Sequence, residues 1–319
     1  MFQMILDSWP WWLGFHILVI AILFLDLGVL NKGSKEITMK GALKLSALWI
    51  GVALVFNVGV YFFWEQIQPT SSYTPSEASL AFLTAYLIEK SLAVDNLFVM
   101  AMIFGAMSIP AALQHRVLFW GILGAIVMRA ILIFAGIALI QHFHWLLYFF
   151  GFFLLFTGIK MIMKKEEDEE ENFEKNKFLI FLRKRIRITP QLEGEKFWVK
   201  KNGLIWFTPL FLALIMIEIT DLVFAVDSIP AVLAVSQDPF VVYTSNIFAI
   251  LGLRALYFAL ADILKKFKGL ELSLALILVF VGTKMMIVDF VKVPAAVSLG
   301  VVVLLLAWGI LRSLKPKAE

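Results

Sequence analysis

The stretch EITDLVFAVDSIPA, residues 218–231, places three carboxylates inside an apolar run long enough to form a membrane-spanning helix. Glu218, Asp221 and Asp227 are flanked there by Leu, Ile, Phe and Val. An ionised side chain at the centre of a bilayer costs about 2.5–3.5 kcal/mol on insertion scales, and more by other estimates. We therefore expect these acids to have partners inside the protein, a bound cation or protons.

The composition of the whole chain is that of an integral membrane protein. Of 319 residues, 61% are hydrophobic and only 16% are charged, and the mean hydropathy is +0.89. Apolar stretches of about 20 residues recur along the chain, whereas the alternating pattern of a transmembrane barrel does not occur. Cysteine is absent, which excludes thiolate metal sites and catalytic thiols. The basic residues are distributed by membrane side, so they do not indicate a nucleic-acid partner.

We predict an all-α polytopic fold with nine transmembrane helices. The predicted spans are 12–30, 41–64, 79–107, 114–140, 145–163, 204–235, 240–264, 270–290 and 292–313. Lys and Arg concentrate in alternate loops between these spans. The positive-inside rule therefore predicts an external N-terminus and a cytoplasmic C-terminus.

Five segments follow from this pattern. They are a two-helix segment (1–78), a first repeat (79–163), a cytoplasmic loop (164–203), a second repeat (204–290), and the last span with its tail (291–319). The loop begins with an acidic run at 166–171, which we interpret as solvated. Its basic and apolar residues at 178–187 predict an amphipathic helix on the membrane surface.

The two repeats are visible in three matched blocks. EKSLAVDNLFV (89–99) aligns with DLVFAVDSIPA (221–231), RAILIFAG from 129 with RALYFALA from 254, and FTGIKMIM from 156 with FVGTKMMI from 280. Spans three to five thus match spans six to eight. Because the matched helices lie an odd number of spans apart, one copy is inverted relative to the other. Many secondary transporters have such repeats, with the binding site near the midplane.

Charged residues deep in the spans carry a negative surplus. The negative groups are Glu89, Asp95, Glu218, Asp221 and Asp227, and the positive groups are Lys90, Arg129 and Arg254. A bound divalent cation would balance the surplus, and so would two protons. The alternative is structural, with Glu89 or Asp95 pairing with Arg129 or Lys90 to fix helix packing. We interpret Arg129 and Arg254 as structural counter-ions of the acids.

The spacing of the acids adds an expectation about the backbone. Residues six apart, such as Glu89 and Asp95 or Asp221 and Asp227, face different ways on a straight helix. We therefore predict that the helices unwind near Asp95 and Asp227, with Pro230 supporting a break in the second copy. Carboxylates, the Asn96 amide, the Ser228 hydroxyl and main-chain oxygens are hard donors, suited to Mn²⁺, Ca²⁺ or Mg²⁺.

Three blocks resemble the TerC family of integral membrane proteins. They are AYLIEKSLAVDNLFV (85–99), KNGLIWFTPLFLALIMIEITDLVFAVDSIPA (201–231) and TSNIFAILGLRALYF (244–258). The resemblance implies a member of the LysE superfamily of exporters, close to the Alx-type proteins that are regarded as manganese exporters, in a bacterial inner membrane. It also implies that the transport motifs fall on Glu89, Asp95, Asn96, Glu218, Asp221, Asp227 and Ser228.

The expected function is secondary export of a divalent cation, Mn²⁺ foremost, as a substrate without a resident cofactor. Protons are a plausible counter-ion, membrane lipids are the expected surroundings, and the oligomeric state is open. A Ca²⁺/H⁺ exchanger and a non-transporting membrane assembly factor stay open as alternatives. An intramembrane aspartyl protease is disfavoured because its Tyr-Asp and Gly-x-Gly-Asp motifs do not occur around these aspartates. We therefore expect no enzymatic activity.

Overall fold

The structure, a computed structural model, describes residues 8–28, 39–143, 145–163, 186–260, 268–291 and 293–314. Ten helices dominate these described residues. These are α1 (Trp9–Gly28), α2 (Met39–Ile67), α3 (Pro75–Ala106), α4 (Ala111–His142), α5 (Leu146–Met163), α6 (Pro209–Leu233), α7 (Pro239–Ile250), α8 (Leu253–Leu260), α9 (Lys268–Met286) and α10 (Ala295–Leu314). A short antiparallel hairpin of β1 (Trp198–Lys201) and β2 (Leu204–Phe207) precedes α6.

Each predicted span coincides with a helix, and α7 and α8 together form the seventh. Within the described residues, four segments are long and apolar enough to cross a membrane: 40–67, 111–142, 209–233 and 239–259. Large apolar side chains on the helix surfaces, such as Phe24, Val55, Phe62 and Leu304, are at least 70% exposed, as lipid-facing residues would be. The chain is therefore a helical, multi-pass membrane protein. The count of nine spans stays a prediction.

The start of the sixth span differs from the prediction. Residues 204–207 form strand β2, and α6 begins only at Pro209. The hairpin turn is Asn202-Gly203, both with positive φ, which is the strongest local signal for a tight hairpin. The apolar residues after the turn have the composition of a membrane helix, but they pair with β1. The amphipathic helix predicted at 178–187 lies mostly outside the described residues.

Both helices that carry the acidic motifs are continuous, so the predicted unwinding is wrong. Helix α3 runs through Asp95, and α6 runs through Asp227 and Pro230. Pro230 removes one backbone donor near the end of α6, but its own carbonyl accepts the amide of Ala234, which completes the last turn. A proline so close to a helix end removes few hydrogen bonds and ends the helix without breaking it.

Helix ends are fixed by local sequence. Thr74 and Glu77 form a capping box at the start of α3, with Pro75 in the first turn. At the start of α7 the Asp238 carboxylate accepts the amides of Phe240 and Val241 at 2.9 and 3.1 Å. These caps fix the starts of two helices that pack against each other and that carry Glu89 and Asn246.

The helices pack in a defined set of pairs. Helix α3 contacts α2, α6, α7 and α10, helix α4 contacts α6 and α7, and α5 packs along α9. The α5–α9 contact is unusually close, because a Cβ placed on Gly282 would lie 2.7 Å from the carbonyl oxygen of Gly151. Small residues at such interfaces are typical of helix packing in membranes.

Two apolar clusters fill the interior, and they are separated by polar residues. The first cluster contains Ile88 of α3, Ile133 of α4 and Ala225 of α6, together with an aromatic group from α1, α2 and α7. The second cluster contains Ala93 of α3, Ala125 of α4 and Ile217 of α6. It extends along these three helices to the ends that lie nearest the hairpin. On α3, α4 and α6 the change from one cluster to the other occurs within a few residues. We call this boundary the seam.

Candidate functional site

The seam is occupied by one arginine that binds two acids from different helices. Arg129 of α4 donates through Nε and Nη2 to the two oxygens of Asp221 at 3.3 and 3.0 Å, which is a bidentate pair. Its Nη1 donates to Oε1 of Glu89 on α3. All three side chains are at most 5% exposed. The counter-ion role predicted for Arg129 is therefore confirmed, and one guanidinium serves both halves of the predicted repeat.

Two asparagines complete this network. Asn96 Nδ2 donates to Asp221 Oδ1 at 3.1 Å. Asn246 of α7 donates to Glu89 Oε2 at 3.0 Å and accepts from Arg129 Nη1 at 3.3 Å. The five residues thus form a connected set from four helices, which we call the Arg129 network. Buried charges are tolerated in such a set because each is paired and hydrogen-bonded.

Straight-helix geometry explains which residues meet. Glu89 and Asn96 lie seven apart on α3, and Asp221 and Ser228 lie seven apart on α6. Seven residues make almost two full turns, so each pair shares one face without any unwinding. The side chains of Asp95 and Asp227 lie outside the described part of the structure. Their predicted role as ligands stays a prediction.

Glu218 lies one turn before Asp221 on the same helix, in space that Gly124 of α4 leaves open. A Cβ placed on Gly124 would overlap with Oε1 of Glu218, so a larger residue there would displace the carboxylate. The Oε2 atom of Glu218 is buried and has no hydrogen-bond partner among the described residues. A carboxylate oxygen in this situation is an available acceptor for a cation or a proton.

Two further side-chain oxygens share this property. Within the described residues, Asn96 Oδ1 and Ser228 Oγ are buried and have no hydrogen-bond partner. A cavity of about 20 Å³ also reaches Asp221, lined by Arg254 and by apolar residues of the second cluster. This volume holds about one water-sized group. Asp221 is thus the acid that lines this cavity, Asn96 is hydrogen-bonded to it, and Glu218 and Ser228 lie on the same face of α6.

The described side chains do not by themselves form a complete metal site. Among them, no group of three His, Asp or Glu side chains is close enough to hold a metal ion. Glu89 and Asp221 face each other across Arg129, and Glu218 stands one turn away. Of the seven predicted ligands, the structure brings Glu89, Asn96 and Asp221 into one network and places Glu218 and Ser228 on the face of α6 that carries Asp221.

Helices α7 and α8 meet at Leu251 and Gly252, where Leu251 keeps right-handed helical angles and its amide still binds the carbonyl of Ile247. Lys90 Nζ donates to the Ala249 carbonyl at 3.1 Å. A Cβ on Gly252 would lie 3.0 Å from that ammonium. Lys90 thus satisfies a carbonyl at the C-terminal end of α7, where a cation is favoured by the helix dipole.

Asn246 is the functional candidate that the sequence analysis missed. It lies in the quoted block TSNIFAILGLRALYF, eight residues before Arg254, after Thr244 and Ser245 and before an apolar run. A buried amide in such a position is a signal in itself, because it requires partners. Its partners come from α3 and α4, and nothing in the sequence near residue 246 identifies them.

The Arg129 network and the helical, apolar architecture define a class: polytopic membrane proteins with ionisable side chains paired in the bundle interior. Comparison with known proteins gives the family. Residues 74–318 match the model of the integral membrane protein TerC family. The chain belongs to the TerC family.

Relatives of similar length are numerous. An uncharacterized membrane protein of Myxococcus xanthus is 50% identical over 95% of this chain and 91% of its own length. A protein of Escherichia coli strain K12, provisionally named a membrane-bound redox modulator, Alx, is 51% identical over 91% of this chain and 90% of its own. An uncharacterized membrane protein of Rickettsia felis is 44% identical, over 95% and 97%. No solved structure matches the chain significantly.

Proposed function

We propose that this chain is a secondary transporter that exports divalent cations, Mn²⁺ foremost, from the cytoplasm. One observation carries the proposal. Acids from two matched helices, Glu89 of α3 and Asp221 of α6, meet in a buried polar seam with unpartnered oxygens and a small cavity beside them. Ionisable residues inside a membrane bundle are expensive, and they commonly mark ion pathways.

Helix packing supports the inverted repeat on which alternating access would depend. If α3, α4 and α5 match α6, α7–α8 and α9, then the contact of α4 with α6 corresponds to the contact of α7 with α3. Both contacts are extensive, and the self-matched pairs α3–α6 and α5–α9 also pack closely. We propose that the two halves rock about the seam, which presents the acids alternately to the cytoplasm and to the outside of a bacterial inner membrane.

Protons are the proposed counter-ion. Acids that lose a metal ion in an apolar interior are stabilised by taking up protons, so ion release and proton uptake would be linked. The redox name of several relatives fits a transporter only indirectly. This chain has no cysteine and hence no dithiol of its own, so we propose that any redox effect would follow from the supply of a redox-active metal ion.

The experiment is uptake by proteoliposomes offered Mn²⁺, Ca²⁺, Mg²⁺ and Zn²⁺ separately, with a pH-sensitive dye inside. We expect Mn²⁺ uptake by the wild type, with opposite proton movement, and loss of most uptake in Asp221→Asn. Glu195→Gln is the matched control, because Glu195 pairs with Arg116 at the surface, and it should transport normally. Preference for Ca²⁺ would select the exchanger alternative.

One observation favours the non-transporting assembly factor. Glu89 and Asp221 are already paired with Arg129, and no complete metal cluster occurs among the described side chains. If the folded wild type moves none of the four ions, or if Asp221→Asn transports as the wild type does, the transport proposal is wrong and the structural role is favoured.

A further inference from the structure

We propose that Arg129 is a built-in cation that occupies the Asp221 carboxylate in the absence of substrate and gives it up when a divalent ion enters. This inference rests on the proposed function and adds the way in which the empty site is held. It assigns Arg129 a role in ion affinity and turnover, beyond the fixing of helix packing.

The first step concerns charge. With Arg129 in place, Glu89 and Asp221 together retain one net negative charge, and the bidentate contact occupies both oxygens of Asp221. A divalent ion placed against Asp221 would also stand close to the guanidinium, and like charges a few ångströms apart repel strongly in a buried site. The ion and the guanidinium therefore compete for this carboxylate.

The second step concerns where the ion would bind. The cavity reaches Asp221 from the second apolar cluster, the cluster on the same side as the hairpin and the start of α6. The positive-inside pattern predicts that this side is cytoplasmic. An ion arriving there meets Asp221, the acid that lines the cavity. Two side chains next to Asp221 each have an oxygen without a hydrogen-bond partner among the described residues, namely Oε2 of Glu218, one turn earlier on α6, and Oδ1 of Asn96, whose amide binds Asp221. These are hard oxygen donors of the kind that Mn²⁺ accepts.

The third step concerns where Arg129 would remain. Its Nη1 has two acceptors apart from Asp221, namely Glu89 Oε1 and Asn246 Oδ1. Asn246 also donates to the other oxygen of Glu89 and so holds that carboxylate in position. When the ion takes Asp221, Arg129 retains Glu89, and the guanidinium stays paired. The link between α4 and α6 is then broken, while the link between α4 and α3 is kept.

This exchange has a consequence for the transport cycle. Without an ion, Arg129 ties the first half to the second through α3, α4 and α6. When an ion is bound, the ion connects the two halves in place of the contact between Arg129 and Asp221. Because Arg129 pairs with Asp221 again once the ion has left, both acids stay paired in the interior while the empty carrier returns. A transporter of this kind does not require a proton for every charge that it releases.

The test measures the Mn²⁺ concentration that half-maximally raises the melting temperature of the purified protein in detergent. In Arg129→Gln the competitor is gone, so we expect a lower melting temperature without metal and at least about tenfold tighter Mn²⁺ binding than in the wild type. Turnover in proteoliposomes should fall, because the empty carrier has unpaired acids. Arg116→Gln, on the same helix but in a surface ion pair, should bind Mn²⁺ as the wild type does.

A second variant separates competition from packing. In Arg129→Ala, millimolar guanidinium chloride should weaken Mn²⁺ binding by filling the vacated position, and tetramethylammonium chloride should not. If Arg129→Gln is too unstable to purify, Arg129→Lys replaces it. One ammonium cannot bridge both acids as the guanidinium does, so Mn²⁺ binding should tighten in that variant as well.

Equal or weaker Mn²⁺ binding in the Arg129 variants would overturn the inference and leave Arg129 as a structural counter-ion. That result is distinct from failure of the proposed function, in which the wild type itself would neither bind nor transport Mn²⁺.

Discussion

At the scale of single residues, the buried polar side chains of this protein share hydrogen-bonding and ion-pair partners. Arg129 has enough donors for two carboxylates and an amide, and Asn96 and Asn246 each attach to one of those carboxylates. A planar guanidinium with a fixed set of donors suits this role better than a lysine would. Removing any one member would leave a buried polar group unpaired, which is costly.

Gly124 provides the residue-scale prediction. In Gly124→Ala the new methyl group would meet the flexible end of Glu218 and not the backbone, so the carboxylate should move while the helix stays intact. We expect Mn²⁺ uptake to fall clearly with less than about 1 kcal/mol change in stability. Gly51→Ala is the control, because a Cβ there meets nothing within 4 Å. Normal uptake by Gly124→Ala would show that the position of Glu218 is unimportant.

At the scale of helices, close packing and end-capping decide the arrangement. Helices α5 and α9 approach so closely that glycines from both line the contact, at Gly151, Gly158 and Gly282. Gly158 and Gly282 occupy corresponding positions in the blocks FTGIKMIM and FVGTKMMI. Hydrophobic burial contributes little between helices in lipid, so this contact depends on shape.

Substitution of Gly282 tests this packing. In Gly282→Ala, the methyl group would lie 2.7 Å from backbone atoms of Gly151 and Leu155, which cannot move aside. We expect a loss of about 1–3 kcal/mol of stability, as for other overpacked interiors, measured by thermal unfolding in detergent. Gly300→Ala in α10, where a Cβ has open space, should be unchanged or slightly more stable. Similar melting temperatures for the two variants would contradict the packing argument.

Asp238, the cap of α7, gives a prediction about pH. Burial raises the pKa of this carboxyl from 3.8 to about 6. A raised carboxyl pKa means that the folded state favours the protonated form, so its contribution to stability is full below pH 4 and is lost as pH rises through 6. Asp238→Asn keeps the cap and should remove this loss, so the variant should be the more stable protein near pH 7 by up to about 3 kcal/mol.

Glu77 supplies the matched comparison for that pH series. Hydrogen bonds from the Thr74 amide and hydroxyl lower the pKa of Glu77, so its contribution is lost as pH falls. Glu77→Gln should therefore leave in place the loss of stability that Asp238 causes between pH 4 and 6. If the melting temperatures of the wild type and of Asp238→Asn change in the same way between pH 4 and pH 7, the assignment to Asp238 is wrong.

At the scale of the whole molecule, the seam is the boundary between two apolar clusters and carries the Arg129 network and a small cavity, while Leu23 and Ile126 pack against both clusters. Apolar clusters pack tightly and resist deformation, so a change of state would take place at the boundary between them. The first cluster is rich in aromatic contacts between α1, α2 and α7, among them Trp12 with Phe240 and Phe56 with Phe248. The cavity lies on the other side of the Arg129 network.

Much of this arrangement could be predicted from sequence because membrane helices obey local rules. Apolar length placed a helix at every predicted span, and the isolated charges indicated which helices face the interior. The rule for interior charges predicted that Glu89 and Asp221 have partners and that Arg129 is a counter-ion, and these pairs are present. The role of the two acids as metal ligands stays a prediction. The Asn202-Gly203 turn is also a local signal and indicates the β-hairpin. The apolar residues after it favoured a helix from residue 204 in the sequence prediction.

The sequence by itself determined the class of protein, the positions of its helices, and the acids that must have partners, since the cost of a charge in lipid does not depend on the details of the fold. Only the tertiary structure decided which partner each acid has. One arginine is shared between Glu89 and Asp221, and Asn246 of α7 binds both that arginine and Glu89. These contacts join residues at least 40 positions apart, and their geometry depends on how helices pack, which no local pattern encodes.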